Sequence, residues 1–273
     1  MFTSSSARRV RTVLVMPTAR TEAKKEITEF ARSLGESYRR LCTEAAVAFH
    51  WQLSNRREGP VELGIFEQFP NLTGVCIVAA DRPGLLLHIS EALVVCGLDV
   101  HNAEAFTRSG KHGAEAVDLF WLRRMTPEGP CPLGEADVMR LRNVLLGLLD
   151  GSLSAEQTPL TPQREQTSSN TRVRFIEDDE GSLTTLEIET EDRSGLLLSL
   201  SRALYAQHVQ IVRSEVKTVG RHVIDRFKVA ELDGSPVQDG RRLEIQVAVL
   251  SAAEPAKRLM SSSPPPPSSG AAN

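Results

Sequence analysis

Two stretches of this chain decide its reading. Val75–Thr107 runs VCIVAADRPGLLLHISEALVVCGLDVHNAEAFT, and Leu186–Thr218 runs LEIETEDRSGLLLSLSRALYAQHVQIVRSEVKT. Set against each other without a gap, about a dozen of roughly thirty positions agree, several times the chance expectation, which marks an internal duplication. The agreements include Ile77/Ile188, Asp81/Asp192, Arg82/Arg193, Gly84/Gly195, the triplet of leucines after each glycine, Ser90/Ser201, Ala92/Ala203, Leu93/Leu204, Glu104/Glu215 and Thr107/Thr218. After a short insertion in the first copy, Asp118-x-Phe120 matches Asp225-x-Phe227.

Each copy decodes into the same elements. Leu186–Glu191 alternates apolar and acidic residues, the period of a strand with one wet face. Asp192-Arg-Ser-Gly195 turns the chain, and Leu196, Leu197, Leu200, Ala203 and Leu204 recur at helical spacing. Val209, Ile211 and Val216 return to strand alternation, and Val223–Val229 reads as a hairpin partner across Gly220-Arg221. In the first copy the spacing predicts strand Thr73–Ala79, helix Gly84–Cys96, strands Leu98–Phe106 and Ala114–Leu122, and a second helix Ala136–Leu149. With Val173–Ile176 as its closing strand, this is an α+β fold of two ferredoxin-like βαββαβ modules. The expected division is residues 71–177 and 183–253, with a flexible Ser/Thr/Gln/Pro insertion at 151–171. Residues 23–70 are expected to supply amphipathic helices, with Ile27, Phe30, Leu34, Leu41, Ala45, Val47, Ala48 and Trp51 as packing positions, and a strand Val61–Phe66. Residues 1–22 and the Pro/Ser tail 254–273 cannot build a core and are expected to be irregular or disordered.

Composition narrows the function. A hydrophobic share of 41% and a charged share of 25% are those of a globular domain. A net charge of −3, scattered arginine pairs and 5% aromatics exclude a stacking, basic nucleic-acid surface. No stretch approaches the ~20 apolar residues of a membrane span, and the N-terminus lacks the apolar run of a signal peptide. Cys42, Cys76, Cys96 and Cys131 lie far apart with no CxxC, so no zinc site or disulfide framework is expected and a reducing cytoplasm fits. None of the six histidines has a Ser, Cys or carboxylate at catalytic spacing.

The pattern Asp-Arg-Pro-Gly-Leu-Leu at 81–86, the helix after it, Gly-Leu-Asp-Val at 97–100 and then Asp118-x-Phe120 resembles the ACT domain. It is most similar to the C-terminal tandem ACT region of PII uridylyltransferase/uridylyl-removing enzymes, a likeness that runs from Phe30 to Ala253. Two signatures of those enzymes are missing: no His-Asp dipeptide occurs, and Gly181-Ser182 followed by Glu187-x-Glu189 or Glu189-x-Glu191 is too short for the transferase motif. The resemblance therefore implies an allosteric sensor of an amino acid, glutamine first, in place of an enzyme. It implies no metal and no cofactor, a PII-type or other regulatory protein as candidate partner, and a homodimer as candidate assembly. A ligand-free interaction module is the competing reading, and a nucleotidyltransferase-related enzyme the third.

The strand-to-helix turns are where such a ligand would sit. A helix start exposes unpaired N–H groups and the positive end of the dipole, and a glycine there admits a ligand to the backbone. The candidate residues are Asp81, Arg82, Gly84, Leu85 and Asp99 in the first copy and Asp192, Arg193, Gly195, Leu196 and Gln210 in the second. Asp99 is expected to meet an ammonium and Gln210 an amide, each beside its own copy's turn. The bland alternative is that Asp81 and Asp192 cap their helices and that both arginines are surface residues. Asp118 and Asp225 are expected to face solvent or a turn. Because no fourth strand follows the last helix, around Arg241–Leu250, Val61–Phe66 is expected to fill that vacant edge by pairing with Leu186–Glu191.

Overall fold

The computed structural model describes residues 17–153, 171–176 and 183–254, so the expectations placed on residues 1–16, on the tail from 255 and on most of the 151–171 insertion lie outside the described residues. Residues 17–22, expected to be irregular, instead begin the first helix, with Pro17 at the position where a missing N–H costs nothing. The described chain is α+β. Helices α1 (Pro17–Ser33), α2 (Glu36–Leu41) and α3 (Glu44–Arg56) precede strands β1 (Val61–Phe69) and β2 (Leu72–Ala80). Then come α4 (Leu85–Val95), β3 (Leu98–Gly110), β4 (Gly113–Thr126), the short β5 (Gly129–Cys131) and α5 (Glu135–Leu149). The second repeat supplies β6 (Arg172–Ile176), β7 (Thr184–Glu191), α6 (Leu196–Ala206), β8 (Val209–Val219), β9 (His222–Glu231) and α7 (Asp239–Ala253).

All paired strands are antiparallel and lie in one sheet, in the order β1-β2-β4-β3-β8-β9-β7-β6, with β5 beside β4. The two halves join at β3 and β8, where Asn102–Ala105 pairs with Ser214–Lys217. Glu104 there faces Glu215, its own counterpart in the repeat. The halves are thus related by a local two-fold axis through that pair.

The edge strands correct the sequence reading. Val61–Phe69 does not reach the second half: it forms a hairpin with β2, from Val61 opposite Ala79 to Phe69 opposite Leu72. Val173–Ile176 does not close the first half: it pairs with β7, Arg172 opposite Glu189 and Ile176 opposite Thr185. Each half therefore leads with its edge strand and needs no strand after its last helix. The physical reason is chain closure. Pro70-Asn71 alone separates β1 from β2, and a two-residue link costs far less entropy than pairing with a strand over a hundred residues away.

Strand alternation distributes two cores across the sheet. Val75, Ile77 and Ala79 of β2 and Phe120 and Leu122 of β4 pack toward α4 and α5, in a core continuous with Leu186, Ile188, Val223 and Phe227 of the second half. Cys76, Val78, Val117 and Leu119 point the opposite way, against Phe30, Leu34, Tyr38, Val47 and Leu53 of the N-terminal helices. Tyr38 Oη lies 2.7 Å from His50 Nδ1 inside that second core. Of the expected helix packing positions, Phe30, Leu34 and Val47 are core, whereas Leu41 and Ala45 are exposed. The second half carries no such helical cover among the described residues, and its outer face is charged. Glu187, expected on a wet face, is buried instead, because Arg174 and Arg226 each approach it at 2.8 Å. That difference explains why β2 is apolar throughout while β7 alternates.

Candidate functional site

Gly84 and Gly195 head α4 and α6 with φ of +82° and +74°, the left-handed region that an L side chain resists. Both helices are N-capped by these glycines and neither has a side-chain cap, so Asp81 and Asp192 are not helix caps. The side chains of Leu85 and Leu196 are core. Their amides are spent on the carbonyls of Arg82 and Arg193. The next amides, of Leu86 and Leu87 or of Leu197 and Leu198, belong to the first turn, where a helix has no internal acceptor.

The two arginines have a shared structural task. Arg82 donates to the Leu149 carbonyl at 3.0 Å and Arg193 to the Ala252 carbonyl at 2.6 Å, so each guanidinium ties the turn to the C-terminal end of the second helix in its half. Arg82 is otherwise exposed, as the surface reading expected; Arg193 is half-buried.

A cavity adjoins each turn, and each is built from both copies. Beside Asp81, Arg82 and Gly84 lie Val209, Gln210 and Ile211 from the start of β8. Beside Asp192, Arg193 and Gly195 lie Leu98, Asp99 and Val100 from the start of β3. The structure therefore exchanges the strand partners: Asp99 meets the second turn and Gln210 the first. Antiparallel pairing of β3 with β8 across the local two-fold is the cause, because it carries the start of each long strand to the other copy's turn. Each cavity volume is about 30 Å³, room for a water or two. An amino acid enters only if the lining side chains or the turn give way.

Two acids that the sequence reading placed at the surface form the cavity floors. Asp118 and Asp225 are buried, 4% and 1% exposed. They alternate with Ala116, Phe120 and Leu122, and with Val223, Phe227 and Val229, on the core face of β4 and β9, a period-2 signal that was legible in the sequence. Burial first, then the charge of Asp81, raises the Asp118 carboxyl from 3.8 to about 8, against a backbone hydrogen bond from Phe106 that lowers it. Burial and then Asp192 push Asp225 well above the carboxylate range. Asp192 itself is raised, by burial and then by Asp99. Asp99 is not free, since Arg123 Nε lies 2.7 Å from its Oδ2.

Two other lining residues were not among the expected ligand contacts. Thr107 donates from Oγ1 to Asp81 Oδ2 at 2.9 Å. The Tyr205 ring lies against Gly84, where an added Cβ would meet Cε2 at 2.8 Å. Among the described residues no cluster of His, Cys, Asp or Glu could hold a metal, the cysteines are free, and no helix is long and apolar enough to cross a membrane.

This is a two-fold repeat of α+β halves with a composite cavity at each strand-to-helix turn. Among known proteins, the chain is similar to bifunctional uridylyltransferase/uridylyl-removing enzymes. It is 31% identical over 167 residues to that of Ruegeria pomeroyi, covering 59% of this chain and 18% of the relative. It is 31% identical over 186 residues to that of Rhodospirillum rubrum, covering 66% and 19%. It is 28% identical over 240 residues to that of Novosphingobium aromaticivorans, covering 83% and 25%. The chain thus spans about a fifth to a quarter of the length of these relatives. The resemblance read from the repeat holds at the level of these enzymes. No family model matches the chain. A double-ringed trimeric microcompartment shell protein aligns over 68% of this chain and 84% of its own at 10% identity, with a TM-score of 0.24, too low to carry an argument.

Proposed function

We propose that this chain is an amino-acid-responsive regulatory protein built from two ACT-type, ferredoxin-like modules, with glutamine the first ligand to test. The observation that carries the reading is the composite cavity. Each one joins a glycine-headed helix start from one copy to the strand start of the other, so a bound ligand touches both halves. Because the cavities are narrow, binding requires the lining side chains or the turn to give way, and a ligand that favours the opened arrangement shifts the population of the unit toward it. The cytoplasm is the setting that fits four free cysteines. The activity of the similar enzymes is not carried over: with no paired metal-binding acids at the transferase spacing and no His-Asp dipeptide in the sequence, neither uridylyl transfer to PII nor its removal is expected. Turnover by the purified chain with PII, UTP and magnesium would overturn that.

Thermal-shift measurements against glutamine and the other common amino acids test the sensor reading. A ligand at a hundred times its Kd stabilises the bound state by about 2.7 kcal/mol, a shift of several degrees. No shift with any of them at millimolar concentration would favour the second reading, an interaction module. Leu243, Val247 and Leu250 support that alternative, forming an exposed apolar stripe at helical spacing on α7.

A further inference from the structure

The two halves of the sheet meet edge to edge over four residue pairs, Asn102–Ala105 of β3 against Ser214–Lys217 of β8. Glu104 lies opposite Glu215, and the two occupy the same position in the repeat, so the local two-fold axis passes between them. The axis also brings Glu91 of α4 against its own counterpart, Arg202 of α6. There the charges are opposite and form an ion pair at 3.1 Å. In the sheet both copies carry the acid, and like charges directly opposite one another weaken a strand pair.

The surroundings leave this repulsion standing. Both glutamates project from the sheet face away from α4 and α6, since Ala103 and Val216 beside them belong to that core. Their side chains are only 15% and 26% exposed, so water screens them poorly from each other. The nearby cations are shared unequally. Lys217 pairs with Glu215, and Arg226 Nη1 lies 3.9 Å from the same carboxylate while its Nε serves Glu187 at 2.8 Å. Among the described residues Glu104 has one ion-pair partner, Arg213 at a long 4.0 Å, and that guanidinium also lies over the Phe106 ring. From the N-terminal helices Glu104 is faced by Cys42, whose thiol burial first pushes up to about 12; it stays neutral and offsets nothing.

We infer that Glu104 and Glu215 form a proton-operated clasp between the halves: the β3–β8 junction closes with one proton held by the pair, and losing that proton to solvent loosens it. One carboxyl is then charged and the other neutral, as is usual where two acids share a site. The proton resides on Glu104, the more buried of the two and the less supplied with cations. Burial first and the charge of Glu215 second lift the Glu104 carboxyl from 4.5 to about 7, against the lowering effect of Arg213 and Lys217.

The direction of the effect follows from proton binding. Well below pH 4.5 the closed and the opened junction both hold the proton, and pH has no leverage. Between there and about 7 a Glu104 returned to water ionises while the closed one does not, so rising pH weakens the junction. Above about 7 both are ionised and the loss levels off. The clasp therefore responds in the neutral range, and proton concentration sets how firmly one half follows the other. This coupling needs no ligand and stands apart from the sensor reading.

Amide hydrogen exchange of the full chain from pH 6 to 8, corrected for intrinsic rates, tests this. Protection of Asn102–Ala105 and Ser214–Lys217 is taken relative to the β2–β4 pair, so that ionisation elsewhere in the fold cancels. That ratio should fall by about tenfold across the range, as expected for a carboxyl at 4.5 in the opened junction and about 7 in the closed one. Glu104→Gln, close in shape and unable to ionise, should hold the ratio constant. Glu215→Gln should shrink the fall, because it removes the opposing charge and leaves the burial. A ratio that is flat in the parent, a fall that persists in Glu104→Gln, or one that Glu215→Gln leaves unchanged would overturn the inference. Should a variant fold poorly, carbon-13 titration of the Glu104 carboxyl in the parent decides: a midpoint near 7 supports the clasp, and one near 4.5 overturns it.

Discussion

Replacing Asp118 by asparagine should make this protein more stable at neutral pH, and increasingly so as the pH is raised. Asp118 is 4% exposed and its carboxyl is lifted from 3.8 to about 8, by burial first and by Asp81 second. The sign follows from proton binding. Well below pH 3.8 both folded and unfolded chains hold the proton, and the carboxyl costs nothing. As pH climbs, the unfolded chain ionises while the folded chain does not, so stability falls by about 1.4 kcal/mol per pH unit until the folded carboxyl also ionises near pH 8. At pH 7 the cost reaches about 4 kcal/mol as an upper bound, against the roughly 5–15 kcal/mol that holds a domain folded. Asparagine keeps the shape and an oxygen for the Phe106 amide but carries no proton to lose. Urea unfolding of parent and Asp118→Asn at pH 5, 6 and 7 checks this. The gap in favour of the variant should widen by roughly 2–3 kcal/mol over that range. Parallel stability profiles would refute the burial argument. A confirmed gap would mean that the chain keeps an acid which weakens its fold, as functional groups commonly do.

Three further outcomes follow from the fold. Glu91, 1% exposed, is held across α4 and α6 by Arg202 at 3.1 Å, and the two occupy equivalent positions in the repeat. Arg202→Glu should destabilise by about 1–2 kcal/mol, discounted because Arg202 is part-exposed, and Glu91→Arg in the same chain should restore part of it; additive losses in chemical denaturation would count against the pairing. His208 holds φ of +57° where the first copy has Gly97 at +68°, so His208→Gly should raise stability by about 0.5–1 kcal/mol, and a lowered melting temperature would contradict it. A truncation starting at Asn71 removes β1 and the N-terminal helices from β2 and should leave the first half aggregating or unfolded by circular dichroism, while a chain ending before Arg172 should keep β1–β4 protected from amide exchange.

What the sequence determined by itself was local. The duplication, the glycine-headed turns and the helix after each were legible because they rest on periods of two and 3.6 residues and on one backbone requirement at Gly84 and Gly195. The burial of Asp118 and Asp225 was legible too, in their alternation with Phe120 and Phe227, but their charge argued against a core position and hid it. Even the edge strands left a mark, the Pro70-Asn71 turn that makes β1 and β2 a hairpin. What only the tertiary structure decided was non-local. Four residue pairs between β3 and β8, over a hundred positions apart, place Asp99 at the second turn and Gln210 at the first. No periodicity records that exchange, since a strand's alternation specifies which face is buried and not which strand lies beside it. The unequal state of the two cavities belongs to the same level. Thr107 and Thr218 are the same residue in the same motif, and only the packing around them leaves one bonded and the other unspent.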